Sequence, residues 1–92
     1  MSLNNLIFYD NLPKLDIHGI DRDAASLYIG EFIEENYILN QKYFIIIHGI
    51  GTGVLKQTTK EVLKRHKKVV DFKTLYHNQG TTIVEIKGKK DV

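Results

Sequence analysis

The sequence predicts an α/β fold: a two-layer sandwich, β-α-β-α-β-β in order, with two helices on one face of a mixed four-stranded sheet. Three observations carry this expectation. The run Tyr43 to Ile47 is aromatic or β-branched throughout, as a short buried strand requires. It breaks after His48 into Gly49, Gly51 and Gly53, and helical spacing follows at once from Val54 to His66. A second strand–helix pair precedes it, so the first two strands lie parallel, and right-handed crossovers put both helices on one face.

The elements follow in order. Residues 1–13 form an apolar N-terminal arm, with Leu3, Leu6, Ile7, Phe8 and Tyr9, closed by Pro13. The domain spans residues 14–87, and residues 88–92 form a frayed C-terminal tail. Lys14 to His18 is a strand whose alternation separates Leu15 and Ile17 from Asp16 and His18. Asp21 is placed to cap a helix running to about Asn36, with Ala25, Ile29, Phe32, Ile33 and Asn36 on its inner stripe. In the second helix the inner stripe is Leu55, Thr58, Thr59, Val62 and Leu63. Val69 to Leu75 and Thr81 to Lys87 are the last two strands, joined by a turn at His77-Asn78-Gln79-Gly80. The central strand is apolar on both faces, so the helix-free face calls for a cover: the arm, or a second subunit in a homodimer.

Bulk properties narrow the classes. With 92 residues the chain is one small domain. It has no cysteine, which removes disulfides, thiol nucleophiles and thiolate metal sites. No apolar run reaches the ~20 residues of a membrane helix, and no signal peptide is evident, so no membrane partner and a cytoplasmic location are expected. The net charge of +2 conceals an asymmetry: residues 1–55 hold three basic and seven acidic side chains, whereas 56–73 hold seven basic and two acidic. Lys56, Lys60 and Lys64 recur on one helix face, a row suited to a nucleic-acid backbone. A solvated helix face is the plain alternative.

The chemistry gathers at one sheet edge. Parallel neighbouring strands end on the same side, where open α/β folds place ligands, and here both end in His-Gly: His18-Gly19 and His48-Gly49. Asp16 projects from the face of His18. Gly49, Gly51, Thr52 and Gly53 lead into a helix start whose free N–H groups attract anions. A carboxylate, two imidazoles and a phosphate-sized loop are the parts that phosphodiester cleavage needs: base, acid, and donors for developing charge. The candidate catalytic residues are Asp16, His18 and His48. A dinucleotide fingerprint fails because Val54 stands at its third glycine, and a Walker loop fails at Lys56-Gln57-Thr58. Metal chelation by Asp16, His18 and His48 is open on ligand type, but no spacing motif supports it, so no cofactor is expected and a divalent metal stays an option.

LDIHG (Leu15 to Gly19) and HGIGTG (His48 to Gly53), about thirty residues apart, together resemble the Smr (small MutS-related) domain in its stand-alone form, over about residues 13–87. The resemblance implies a fold similar to the C-terminal domain of a translation initiation factor, and a nuclease: many members nick DNA or cleave RNA, and some act on mRNA at stalled ribosomes. It maps the family's L-D-x-H motif onto Leu15, Asp16 and His18, and its glycine loop onto His48, Gly49, Gly51 and Gly53. Histidine at position 18, where doubtful nucleases carry arginine, favours activity. The chain departs from the pattern before the last strand, where only Gly80 stands; whether His77 contacts substrate instead is open. The resulting expectation is an endonuclease acting on RNA rather than DNA, cleaving through a 2′-hydroxyl with His18 and His48 as a base–acid pair. The alternatives are a non-catalytic module binding nucleic acid or the ribosome, and a mononucleotide-binding domain.

Overall fold

The computed structural model describes residues 11–75 and 78–89 and contains the six elements in the expected order: β1 (Lys14–Asp16), α1 (Arg22–Ile38), β2 (Tyr43–Ile47), α2 (Val54–Arg65), β3 (Val69–Thr74) and β4 (Thr81–Ile86). The strands lie in the order β1-β2-β4-β3. β1 pairs parallel to β2 with Asp16 opposite Ile47, and both remaining pairings are antiparallel. Among the described residues no helix is long and apolar enough to cross a membrane.

The boundaries differ from expectation by one or two residues, each difference beyond simple fraying with a local cause. β1 stops at Asp16, short of His18, because the Asp16 carboxylate takes the His18 N–H at 3.1 Å and turns the chain out of the ladder. α1 begins where Asp21 caps it, through the Ala24 N–H at 2.9 Å, but continues past Asn36 to Ile38. It ends as Asn40 enters the left-handed region at φ 56°. α2 ends at Arg65 rather than His66, whose backbone is already extended.

Alternation sorts the sheet into two unequal faces. Ile17, Phe44, Ile46, Val84 and Ile86 meet Ala25, Ile29 and Ile33 of α1 and Leu63 of α2 in the main core. Burying each of these large side chains is worth about 1.5–3 kcal/mol, and Phe32 sets its ring edge-on to Phe44 at 5.1 Å. Polar groups drawn into this layer are satisfied locally: Thr58 and Thr59 donate to the Val54 and Leu55 carbonyls, and Asn36 to that of Phe32. On the other face Ile45 and Ile83 are buried with Leu12, Tyr43, Ile47 and Leu75 around them. Leu12 belongs to the arm, so the arm's end does lie on the helix-free face; residues 1–10, His77 and the tail residues 90–92 lie outside the described residues.

One buried polar chain joins the core to the sheet edge. His48 follows β2 on the helix side and is 3% exposed. Its Nδ1 lies 2.9 Å from the Gly49 carbonyl oxygen, which can only accept, so Nδ1 carries the proton. Nε2 is then the acceptor for the Thr82 hydroxyl at 2.9 Å, and the Thr74 hydroxyl stands 3.5 Å behind Thr82. Burial holds the His48 pKa below its ordinary value, and Lys56 and Lys60 push the same way, against the Gly49 bond.

A histidine kept neutral in the fold ties stability to pH. The unfolded chain gains a proton below about pH 6.5 that the folded chain refuses, so stability is full above that pH and falls as pH drops. Thermal melts between neutral and mildly acidic pH should show this decline, and His48→Gln should lower the melting temperature at neutral pH while flattening the decline. An equal acid slope in wild type and variant would assign the loss to other groups.

Candidate functional site

Both strand ends reach one edge of the sheet, and a cleft of about 540 Å³ opens there between the β1–α1 turn, the glycine loop and the start of α2. The loop's shape is set by its glycines. Gly49, Gly51 and Gly53 all have positive φ, at 80°, 34° and 86°, which side-chain-bearing residues rarely adopt. The Gly80 carbonyl accepts from both the His48 and Gly49 N–H groups, at 2.9 and 3.0 Å, and anchors the loop to β4. A Cβ at Gly80 would stand 3.1 Å from the Gly49 Cα, so a side chain there would require the loop to give by a few tenths of an ångström.

Gly53 is the N-cap of α2 and has no side chain to cap it. The N–H groups of Val54, Leu55 and Lys56 therefore lack the intrahelical acceptors that later turns enjoy, and Val54 and Leu55 face the cleft. Thr52 stands exposed on the same wall.

Opposite the loop, Asp16 and His18 form a pair at the cleft's mouth. The Asp16 carboxylate accepts from the His18 imidazole at Nδ1 and from the His18 backbone N–H. Those two bonds, the imidazole's first, hold the Asp16 carboxyl below the usual carboxylate range. His18 is 68% exposed, and the pairing at Nδ1 leaves Nε2 as its solvent-facing basic nitrogen. Gly49 and His18 are in close register, since a Cβ at Gly49 would lie 3.3 Å from that of His18.

The structure thus gathers His18, Gly49, Gly51, Thr52 and Gly53 around one cleft, and Asp16 stands behind His18, bonded to it but not lining the cleft. His48 forms its floor, buried, with both ring nitrogens engaged. The identical His-Gly dipeptides therefore occupy opposite environments. Among the described residues no three His, Cys, Asp or Glu side chains gather as a metal ion would require. The lysine row lies apart: Lys56 donates to Gln79 Oε1 at 3.1 Å in the β3–β4 connection, and neither it, Lys60 nor Lys64 lines the cleft. His66 binds Glu34 at 3.2 Å and accepts the Lys68 N–H, a tie between the helices rather than part of the site.

Sequence reasoning gave no site role to several residues that line the cleft, among them Asp21, the cap of α1. Arg22 lines the cleft from the first turn of α1, and Ile20, Ile50 and Val54 supply apolar wall. The signal for Arg22 was available, because a helix directly after a strand starts at the same edge as the strand's end. Nothing local marks Ile50 or Val54.

Comparison with known proteins bears on this site. The family model described as the Smr domain matches residues 15–87. Endonuclease MutS2 of Alkaliphilus metalliredigens (strain QYMF) is 36% identical over 81 residues, covering 85% of this chain and 10% of that protein. Endonuclease MutS2 of Caldicellulosiruptor bescii is 37% identical over 90 residues, covering 94% and 11%. The chain spans about a tenth of the length of these curated relatives. The crystal structure of the Smr domain of Thermus thermophilus MutS2 superposes with a TM-score of 0.80 at 29% identity, covering 83% of this chain and 99% of that one. YdaL, a stand-alone small MutS-related protein from Escherichia coli, gives 0.74 at 17% identity over 80% of this chain and 63% of its own, a likeness of fold. Both motifs and all six elements except the first residue of β1 fall within the matched span, and the chain belongs to the Smr domain family.

Proposed function

We propose that this chain is an endonuclease that cleaves phosphodiester bonds in nucleic acid, RNA in preference to DNA, at the cleft between the β1–α1 turn and the glycine loop. The observation that carries the reading is the Asp16–His18 pair, exposed at the mouth of a cleft whose opposite wall presents unpaired N–H groups. Kinship with proteins named as endonucleases agrees with it. The proposed setting is the cytoplasm.

In this reading Asp16 orients His18 and holds its proton on Nδ1, so that Nε2 is the general base. Nε2 takes the proton of a 2′-hydroxyl, the 2′-oxygen attacks the adjacent phosphorus, and the bond to the 5′-oxygen breaks. The leaving 5′-oxygen takes a proton from solvent, which reaches the open cleft. N–H groups of the loop and of the α2 start receive the charge that builds on the phosphoryl oxygens. His48 is assigned a positioning role: a neutral, buried ring bonded at both nitrogens holds the Gly49 carbonyl in place rather than delivering a proton. No metal ion is needed for this route.

His18→Ala should slow RNA cleavage by about a hundredfold or more, and Asp16→Ala should also cripple it. Both residues are exposed, so both variants should stay folded, with only a small drop in the thermal transition from the lost Asp16–His18 bonds. Wild-type cleavage should survive chelator, leave 2′,3′-cyclic phosphate and 5′-hydroxyl ends, and fail on a 2′-deoxy site. The pH–rate profile should carry no falling limb contributed by His48, which is buried and held neutral. Chelator-sensitive cutting of DNA would replace this route with metal-assisted hydrolysis. A wild type that cleaves nothing yet binds would favour the non-catalytic module.

The lysine row is proposed to hold flanking phosphates, along the flank of α2 that faces the β3–β4 connection. Replacing Lys56, Lys60 and Lys64 with Gln should flatten the slope of log K against log salt by roughly two to three for duplex DNA. An unchanged slope would leave the row merely solvated.

A further inference from the structure

Two large aliphatic side chains stand in water beside the polar end of the cleft. Ile50, at the tip of the glycine loop, is 68% exposed, and Val54, in the first turn of α2, is 51% exposed. With Ile20 they give the cleft an apolar wall next to the unpaired N–H groups, and Arg22 stands on the same cleft's rim. Among the described residues the Arg22 guanidinium has no hydrogen bond or ion pair. A phosphate alone has no use for an aliphatic wall, and an exposed isoleucine beside a polar cleft forfeits the gain of burial unless something covers it. A cleft of about 540 Å³ has room for more than one phosphate group.

We propose that the cleft seats a single unpaired nucleotide, its base against Ile20, Ile50 and Val54 and its phosphate at the loop N–H groups and Arg22. The proposal rests on the nuclease reading and narrows its substrate class to single-stranded nucleic acid. In a duplex the faces of a base are covered by its stacked neighbours, so none is free to lie on the wall. Unpaired bases present such faces at little cost, and any of them will do, because the wall offers no hydrogen-bond donor or acceptor of its own. The preference is therefore for unpaired over paired, with little discrimination between bases.

The test separates base from backbone. Binding of a labelled thymidylate oligomer, which lacks the 2′-hydroxyl and so survives the proposed route, is compared with an abasic oligomer of equal length and charge. The wild type should bind the thymidylate oligomer roughly tenfold more tightly than the abasic one. It should also bind it more tightly than the same strand annealed to its complement. Ile50→Ser combined with Val54→Ser should abolish both preferences, leave abasic binding unchanged, and keep the thermal transition, since neither residue is in the core. Salt-sensitive binding of both oligomers with no preference would overturn the base-seating proposal and keep the nucleic-acid reading. A preference that persists in the double variant would place the base elsewhere and overturn it too. Failure to bind either oligomer would overturn the base-seating proposal, and the nuclease reading would fall with it only if the wild type also left RNA uncut.

Discussion

The site depends on one clamp: the end of β2 is held to the start of β4. Antiparallel pairing of these strands places Ile47 opposite Thr81, and the Gly80 carbonyl extends the ladder one step by accepting two N–H groups from the loop. The His48–Thr82 bond repeats the tie on the helix side of the sheet. Between them the loop's backbone is fixed at its root, while its tip projects into solvent. A rigid root matters because donors that need not reorganise stabilise developing charge at least cost.

That clamp also explains why two His-Gly dipeptides diverge. β2 is an interior strand with neighbours on both sides, so the residue after it is enclosed by β4, α2 and the loop itself. β1 is an edge strand of three residues, and the chain leaves it through the Asp16 carboxylate. With no strand beyond that edge among the described residues, His18 is left in solvent. A titratable ring is useful for proton transfer in the second setting and for holding a backbone carbonyl in the first.

Much of this could be read from the residues. The apolar run of β2, the capping Asp21 and the stripe of α1 fixed the architecture, and matched strand ends brought Asp16, His18 and the glycines to one edge. The divergence of the histidines could not be read, because it depends on which strand is interior, and the order β1-β2-β4-β3 is a tertiary outcome. Thr82 is as hidden: thirty-four residues separate it from His48, and only the β2–β4 register brings them together. The apolar wall escaped notice because a lone isoleucine among glycines has no period to betray it.

The irregularity in β3 has a bearing on how copies of this molecule behave in a crowded solution. β3 is the far edge of the sheet, where an uninterrupted row of N–H and C=O groups would invite another chain to add a strand. Its register shifts between Val69 and Asp71, leaving Val70 as an extra residue, and the Asp71 carboxylate takes the Phe72 N–H at 2.8 Å. A kinked strand with one donor already occupied and a charge on its rim is a poor template for recruitment. At the opposite border, β1 is only three residues long. One margin is interrupted and the other is short, so neither is a good template for adding a strand from another copy.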